Sequence, residues 1–202
     1  MKKILQDHPA DRELEEMLDM AADSVRRIQM MVAEIYEKVR AIKLNPAKQN
    51  LLPVVEQGLL EFEKTAGNIT VERSFSPVPD VYFDTEHLKK VIRNILDNAS
   101  EAMNGSGKIN VSLKETNNEV VLKIEDTGKG IPIEFLSLIF EPFYSTKNWR
   151  KNLGLGLYYC KNVMMQHKGS IRVESAPGQG TSIYLHLKKE QPQPVRSQDR
   201  SL

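Results

Sequence analysis

The chain has 202 residues, 40% hydrophobic and 27% charged, with 28 Lys and Arg set against 27 Asp and Glu. A formal charge of +1 leaves no basic excess for gripping nucleic acid or an anionic membrane surface, and no apolar run approaches the roughly 18 residues that cross a bilayer. The start, Met1-Lys2-Lys3-Ile4-Leu5-Gln6-Asp7, lacks the apolar core of a secretory signal, and a single cysteine, Cys160, excludes an internal disulfide and suits a reducing cytoplasm.

The first predicted element is a long helix. Apolar residues fall at Leu14, Leu18, Ala21, Val25, Ile28, Val32, Ile35, Val39 and Ile42, with steps of four and three in strict alternation. That is the seam of a helix packing at a period of 3.5. About four heptads, roughly 40 Å at 1.5 Å per residue, is a long stripe for one face of a small domain. No second long heptad segment is available to cover it, so the expectation is a homodimer through the Leu14–Ile42 helix. Asp11 can cap this helix, and Asn45, held extended by Pro46, ends it. The expected domains are residues 1–45 as a dimerisation helix, 46–190 as a mixed α and β domain, and 191–202 as a disordered tail of Gln, Pro, Ser and Arg.

Within the second domain Pro53 to Lys64 reads as a helix with proline in its first turn. Ile69 to Phe75 alternates as a strand, and Ser76 to Asp80 is a turn-rich connection. Thr85 to Met103 is the strongest helix, with Leu88, Val91, Ile92, Ile95, Leu96 and Ala99 on one face. Lys108 to Leu113 and Glu119 to Ile124 read as a hairpin through Asn117-Asn118. Ser170 to Ser175 and Thr181 to Leu187 form a second strand pair.

Four short elements carry chemistry. On the strong helix, Asn94 and Asn98 are four apart and share a face beside the apolar one. Their amide oxygens are hard, neutral donors suited to Mg²⁺ held mostly by phosphates and water; alone, the pair reads as exposed polar surface. Asp126-Thr127-Gly128-Lys129-Gly130 follows a strand. Its glycines permit close backbone approach, and an ionised Asp126 accepts hydrogen bonds only, which suits the exocyclic amine of adenine; an ordinary turn is the plainer reading. Phe140-Glu141-Pro142-Phe143 leads into a polar segment where Lys147 could carry charge to a polyphosphate, or simply be solvated. Gly154-Leu155-Gly156-Leu157 opens a helix to about His167, so that backbone N–H groups and the helix dipole face one anion. No Gly-Lys-Ser/Thr follows, so this is not the Walker pattern.

Taken in order, with Gly178-Gln179-Gly180-Thr181, these elements resemble the ATP-binding catalytic domain of sensor histidine kinases, in the superfamily shared with type II topoisomerase ATPases, MutL proteins and the ninety-kilodalton heat-shock chaperones. The resemblance runs from about Asn45 to Lys189. It implies an α+β fold: a two-layer α/β sandwich of the Bergerat type, a mixed sheet with helices on one face, preceded here by the heptad helix. It implies ATP and Mg²⁺ as ligands. Asn98 is then the Mg²⁺ ligand, Asn94 its neighbour at the phosphates, and Asp126 the adenine acid with Gly128 and Gly130 giving it room. Gly154, Leu155, Gly156 and Leu157 belong to the phosphate lid, Thr181 is the hydroxyl behind the adenine, and Lys147 is a lid contact to the γ-phosphate. The implied reaction passes the γ-phosphoryl to a histidine and then to an aspartate of a response regulator. The heptad helix resembles the second helix of the family's dimerisation hairpin.

The sequence departs from that pattern in its acceptor. His8 lies in Asp7-His8-Pro9, without the acid that would serve as base, and His87, His167 and His186 have no motif around them. The expectation is a piece of a longer kinase that binds Mg-ATP without phosphorylating itself; the alternative is a nucleotide-binding dimeric scaffold without phosphotransfer. Asn152 stands where many relatives have glycine. ATP hydrolysis as in the topoisomerases lacks the glutamate expected at Asn94.

Overall fold

The computed structural model describes residues 14, 16–25, 28, 32, 42–145 and 154–189. His8, Lys147, Asn152 and the 191–202 tail lie outside them. The chain divides into two compact units, Met1–Ala41 and Ile42–Leu202. In the first, residues 14, 16–25, 28 and 32 are helical (α1). Leu14, Leu18, Val25 and Ile28 of the heptad seam are more than half exposed, as are Met17 and Met20. Ile35 and Val39 lie outside the described residues. Ile42, the last heptad position, is in no helix and packs against the core of the second unit. Asn45 before Pro46 favours extended backbone there.

The second unit runs β1 (Ala47–Gln49), α2 (Leu52–Glu63), β2 (Asn68–Phe75), β3 (Val81–Phe83), α3 (Thr85–Ala102), β4 (Ser106–Glu115), β5 (Glu119–Asp126), a 3-10 turn at Ile133–Phe135, α4 (Gly156–Gln166), β6 (Ser170–Ser175) and β7 (Thr181–Lys188). Five strands make one mixed sheet in the order β2-β4-β5-β7-β6, parallel between β2 and β4 and antiparallel elsewhere. The implied α+β sandwich is present. Strand periodicity of two puts Ile109, Val111 and Leu113 of β4, Val120, Leu122 and Ile124 of β5, and Ile183, Leu185 and Leu187 of β7 into one buried layer. Helix α3 closes it with Leu88, Val91, Ile92, Ile95, Leu96 and Ala99, and α2 and α4 flank α3. Each such fully buried aliphatic side chain contributes roughly 1.5–3 kcal/mol. The same phase carries Asp126, last residue of β5, onto the helix-covered side, where it is 7% exposed.

A small antiparallel sheet of β1 with β3 is not apparent from the sequence. Three-residue strands are too short to show alternation. The Gln49 side chain ties the pair together, its Nε2 donating to Phe83 O and Thr85 Oγ1 at 3.1 and 2.8 Å.

Beside it, Asp84 caps α3 by accepting from the His87 N–H at 3.0 Å, and its other oxygen accepts from the Asn45 N–H at 2.8 Å. The Asp84 N–H donates to His167 Nε2 at 2.8 Å, while His167 Nδ1 donates to Val163 O at 2.7 Å. With one nitrogen accepting, the buried His167 ring is neutral. Burial lowers its pKa from the usual 6.5, against the opposing Val163 bond. A protonated ring would lose the Asp84 bond, so the unfolded chain takes up the proton first. Stability is therefore full above about pH 6.5 and falls by up to ~1.4 kcal/mol per pH unit below it, until the folded value is reached. Urea unfolding across that window is expected to be steeper in pH for wild type than for His167→Gln, which accepts the same bond without titrating. Parallel pH profiles for the two proteins would refute this.

Candidate functional site

Among the described residues, a cleft of about 1290 Å³ runs beside α3. Helix α3 serves as its ruler. At the carboxy-terminal end, a Cβ placed on Gly128 would lie 2.8 Å from Ala102 Cβ, and the Lys129 N–H donates to Ala102 O at 3.2 Å. Two turns earlier, a Cβ on Gly156 would lie 3.7 Å from Asn94 Oδ1. The eight residue steps from Asn94 to Ala102 span about 12 Å at 1.5 Å each. One end of the cleft thus meets the exit of β5, and the other meets the start of α4.

At the β5 end, Asp126 Oδ1 accepts from the Gly128 N–H at 2.8 Å, and the Thr181 N–H bonds the same carboxylate. Burial pushes this carboxyl above its usual range; the two N–H groups pull it back, and neighbouring Glu125 adds to the rise. Thr181, the register partner of Asp126 across β5 and β7, lines the cleft with it. Between the ends, Ile124, Ile183, Ala99 and Ile131 give an apolar wall suited to a flat ring.

At the α4 end, Asn94 and Asn98 both line the cleft. The Asn94 side chain hydrogen-bonds the Cys160 thiol, whose burial pushes its pKa up to about 12. Gly154, Leu155, Gly156 and Leu157 face them. No side chain caps α4 at Leu155, so its first-turn N–H groups suit an anion. The Phe143 N–H donates to Gly154 O at 3.1 Å, and a Cβ on Gly154 would lie 2.6 Å from Tyr144 O. This pinches the chain where it leaves at Ser145 and returns at Gly154.

The structure therefore brings together Asn94, Asn98, Asp126, Gly130, Thr181 and the Gly154–Leu157 run. Gly128 is buried behind the cleft instead of lining it: the space it gives is taken by Ala102 of α3 and by the Asp126 carboxylate. Gly130 has φ +69°, and a Cβ there would come within 1.9 Å of Ala176 O, so its close approach is also to protein. Lys147 lies outside the described residues. The described histidines do not line the cleft: His87 pairs with the Tyr159 hydroxyl at 2.7 Å, His167 is buried at the α3 cap, and His186 pairs with Glu119 at 2.8 Å.

One contributor was missed in the sequence. Ser175 Oγ accepts from the Ile131 N–H at 2.8 Å and meets Gly180 O and Thr181 Oγ1 at 2.7 and 3.0 Å, tying the strand-exit loop to the β6–β7 turn. The available signal was a hydroxyl in phase with Ile171 and Val173 on the inward side of β6.

A model of the family described as histidine kinase-, DNA gyrase B-, and HSP90-like ATPase matches residues 83–191, just over half of the chain. Sporulation kinase C of Bacillus subtilis (strain 168) is 32% identical over 178 residues, 85% of this chain and 41% of that protein. Sensor histidine kinase ZraS of Klebsiella oxytoca is 32% identical over 183 residues, 89% of this chain and 39% of that protein. The solved structure of a mycobacterial sensor histidine kinase, MprB, matches with a TM-score of 0.64 and 28% identity, over 74% of this chain and 100% of that one. The chain spans about two fifths of the length of the curated relatives it matches. With the family model over most of the cleft and homologues that are sensor histidine kinases, the chain belongs to the histidine kinase-, DNA gyrase B- and HSP90-like ATPases.

Proposed function

We propose that this chain binds Mg-ATP and forms the catalytic part of a two-component sensor histidine kinase. The observation that carries the reading is the gathering of a buried carboxylate, two carboxamides and an uncapped helix start along one 12 Å stretch of α3. Asp126 and Thr181 receive the adenine, and the N–H groups of Gly154 to Leu157 receive the phosphates, with Lys147 reaching the γ-phosphate. Asn98, with Asn94 beside it, would hold Mg²⁺. No group of three His, Cys, Asp or Glu among the described residues could hold a metal unaided. The donor set fits an ion whose other ligands are phosphate and water oxygens. When bound, Mg²⁺ neutralises charge on the transferring phosphoryl.

The γ-phosphoryl goes to a histidine carried by another helix and then to a response-regulator aspartate. A second copy of the chain covers the exposed seam of α1, as the family's general dimerisation suggests. Incubation with γ-labelled ATP is expected to leave the chain alone unlabelled and to give acid-labile label on an acceptor helical hairpin added in trans. ATP binding without any label on the acceptor would instead support a nucleotide-binding scaffold, and strong label on His8 would contradict the missing acceptor.

A further inference from the structure

We propose that Ser175 sets the hydrogen-bond polarity of the base pocket, and with it the preference for a 6-aminopurine, by committing the Thr181 hydroxyl to act only as an acceptor toward the cleft; this rests on the nucleotide reading above. A serine hydroxyl has one hydrogen and two lone pairs. Ser175 Oγ has three neighbours: the Ile131 N–H at 2.8 Å, Gly180 O at 2.7 Å and Thr181 Oγ1 at 3.0 Å. The Ile131 N–H can only donate, and the Gly180 carbonyl can only accept. The Ser175 hydrogen therefore goes to Gly180 O. The remaining contact is a hydrogen bond only if Thr181 donates.

That donation uses the single hydroxyl hydrogen of Thr181, and what Oγ1 turns to the cleft is a lone pair. Asp126, its strand partner, is an acceptor as well. Two adjacent acceptors at this end of the cleft favour a ring edge bearing N–H donors, as adenine presents at its exocyclic amine. They repel a carbonyl oxygen at that position, as guanine presents. Ser175 does not line the cleft, so it is a positioning residue acting through Thr181. Without it, the Thr181 hydrogen can swing into the cleft and meet the guanine oxygen.

Calorimetry with Mg-ATP and Mg-GTP on wild type, Ser175→Ala, Thr181→Val and the double variant tests this. The ATP-to-GTP affinity ratio is expected to fall roughly five- to tenfold in Ser175→Ala, the worth of about one hydrogen bond. It is expected to fall comparably in Thr181→Val, and no further in the double variant. Should the alanine variant fail to fold, Ser175→Cys keeps the volume, bonds weakly and shifts the ratio in the same direction. Equal weakening toward both nucleotides with an unchanged ratio would show that Ser175 only braces the loops. Additive falls in the double variant would show that it does not act through Thr181. Either result overturns the assignment while the nucleotide reading stands; wild type that binds neither nucleotide overturns both.

Discussion

Replacing Asp126 by Asn is expected to weaken Mg-ATP binding about a hundredfold, the scale of one hydrogen bond to a charged acceptor in a water-poor site. The side chain is 7% exposed, and its oxygens already hold the loop through the N–H groups of Gly128 and Thr181. Those bonds position the carboxylate before any ligand arrives. Burial raises the pKa of this carboxyl, and the two N–H groups oppose the rise. A buried carboxyl with a burial-raised pKa that lines a cleft is a candidate for ligand binding. The amide keeps the shape, removes the charge and turns one acceptor into a donor facing the purine amine. Calorimetry reads the affinity, and thermal melting separates site loss from unfolding. An affinity within threefold of wild type would refute the role of Asp126.

Gly130→Ala is expected to cost ~3 kcal/mol of folding stability or more. Its φ of +69° costs an L-residue roughly 1–2 kcal/mol by itself. The added Cβ would also lie 1.9 Å from Ala176 O, so the β6–β7 turn must move. That movement strains the bond from the Gly178 N–H to Lys129 O and the Ile131–Ser175 bond, which hold the same junction. Gly178→Ala is the control. Its φ is +75°, but nothing lies within 4 Å of the added Cβ, so it should lose only about 1–2 kcal/mol. Equal losses for the two variants in urea unfolding would show that the close approach at Gly130 carries no weight.

The elements readable in the sequence were those with long periodic patterns. Helix α3 shows its buried stripe over five turns, and β4, β5 and β7 alternate over eight or more residues. The β1–β3 pair could not be read because three residues show no period, and its stability depends on Gln49, which bonds across 34 positions of sequence. Most of the candidate site was readable because local signals place its residues: Asn94 and Asn98 by helical spacing, Asp126 by strand phase, and Gly154 to Leu157 by the start of α4. The sequence does not show the second constraint on the glycines: a Cβ at Gly128 would meet Ala102, and one at Gly130 would meet Ala176. Ser175 escaped because its three partners are set by tertiary contacts, and no spacing rule links residue 175 to residue 131. Ile42 fits the heptad by count, yet it lies in no helix and packs against the core of its own unit, Ile42–Leu202.

One pocket is expected to hold the whole nucleotide, with the purine at the β5–β7 end of α3 and the phosphates at the start of α4. A crystal structure with a non-hydrolysable ATP analogue and Mg²⁺ tests it most directly. The purine amine is expected on the Asp126 carboxylate beside Thr181, the metal on the Asn98 oxygen, and the phosphates on the N–H groups of residues 154 to 157. Nucleotide bound at another surface, or seated with its base against α4 and its phosphates at Asp126, would contradict it.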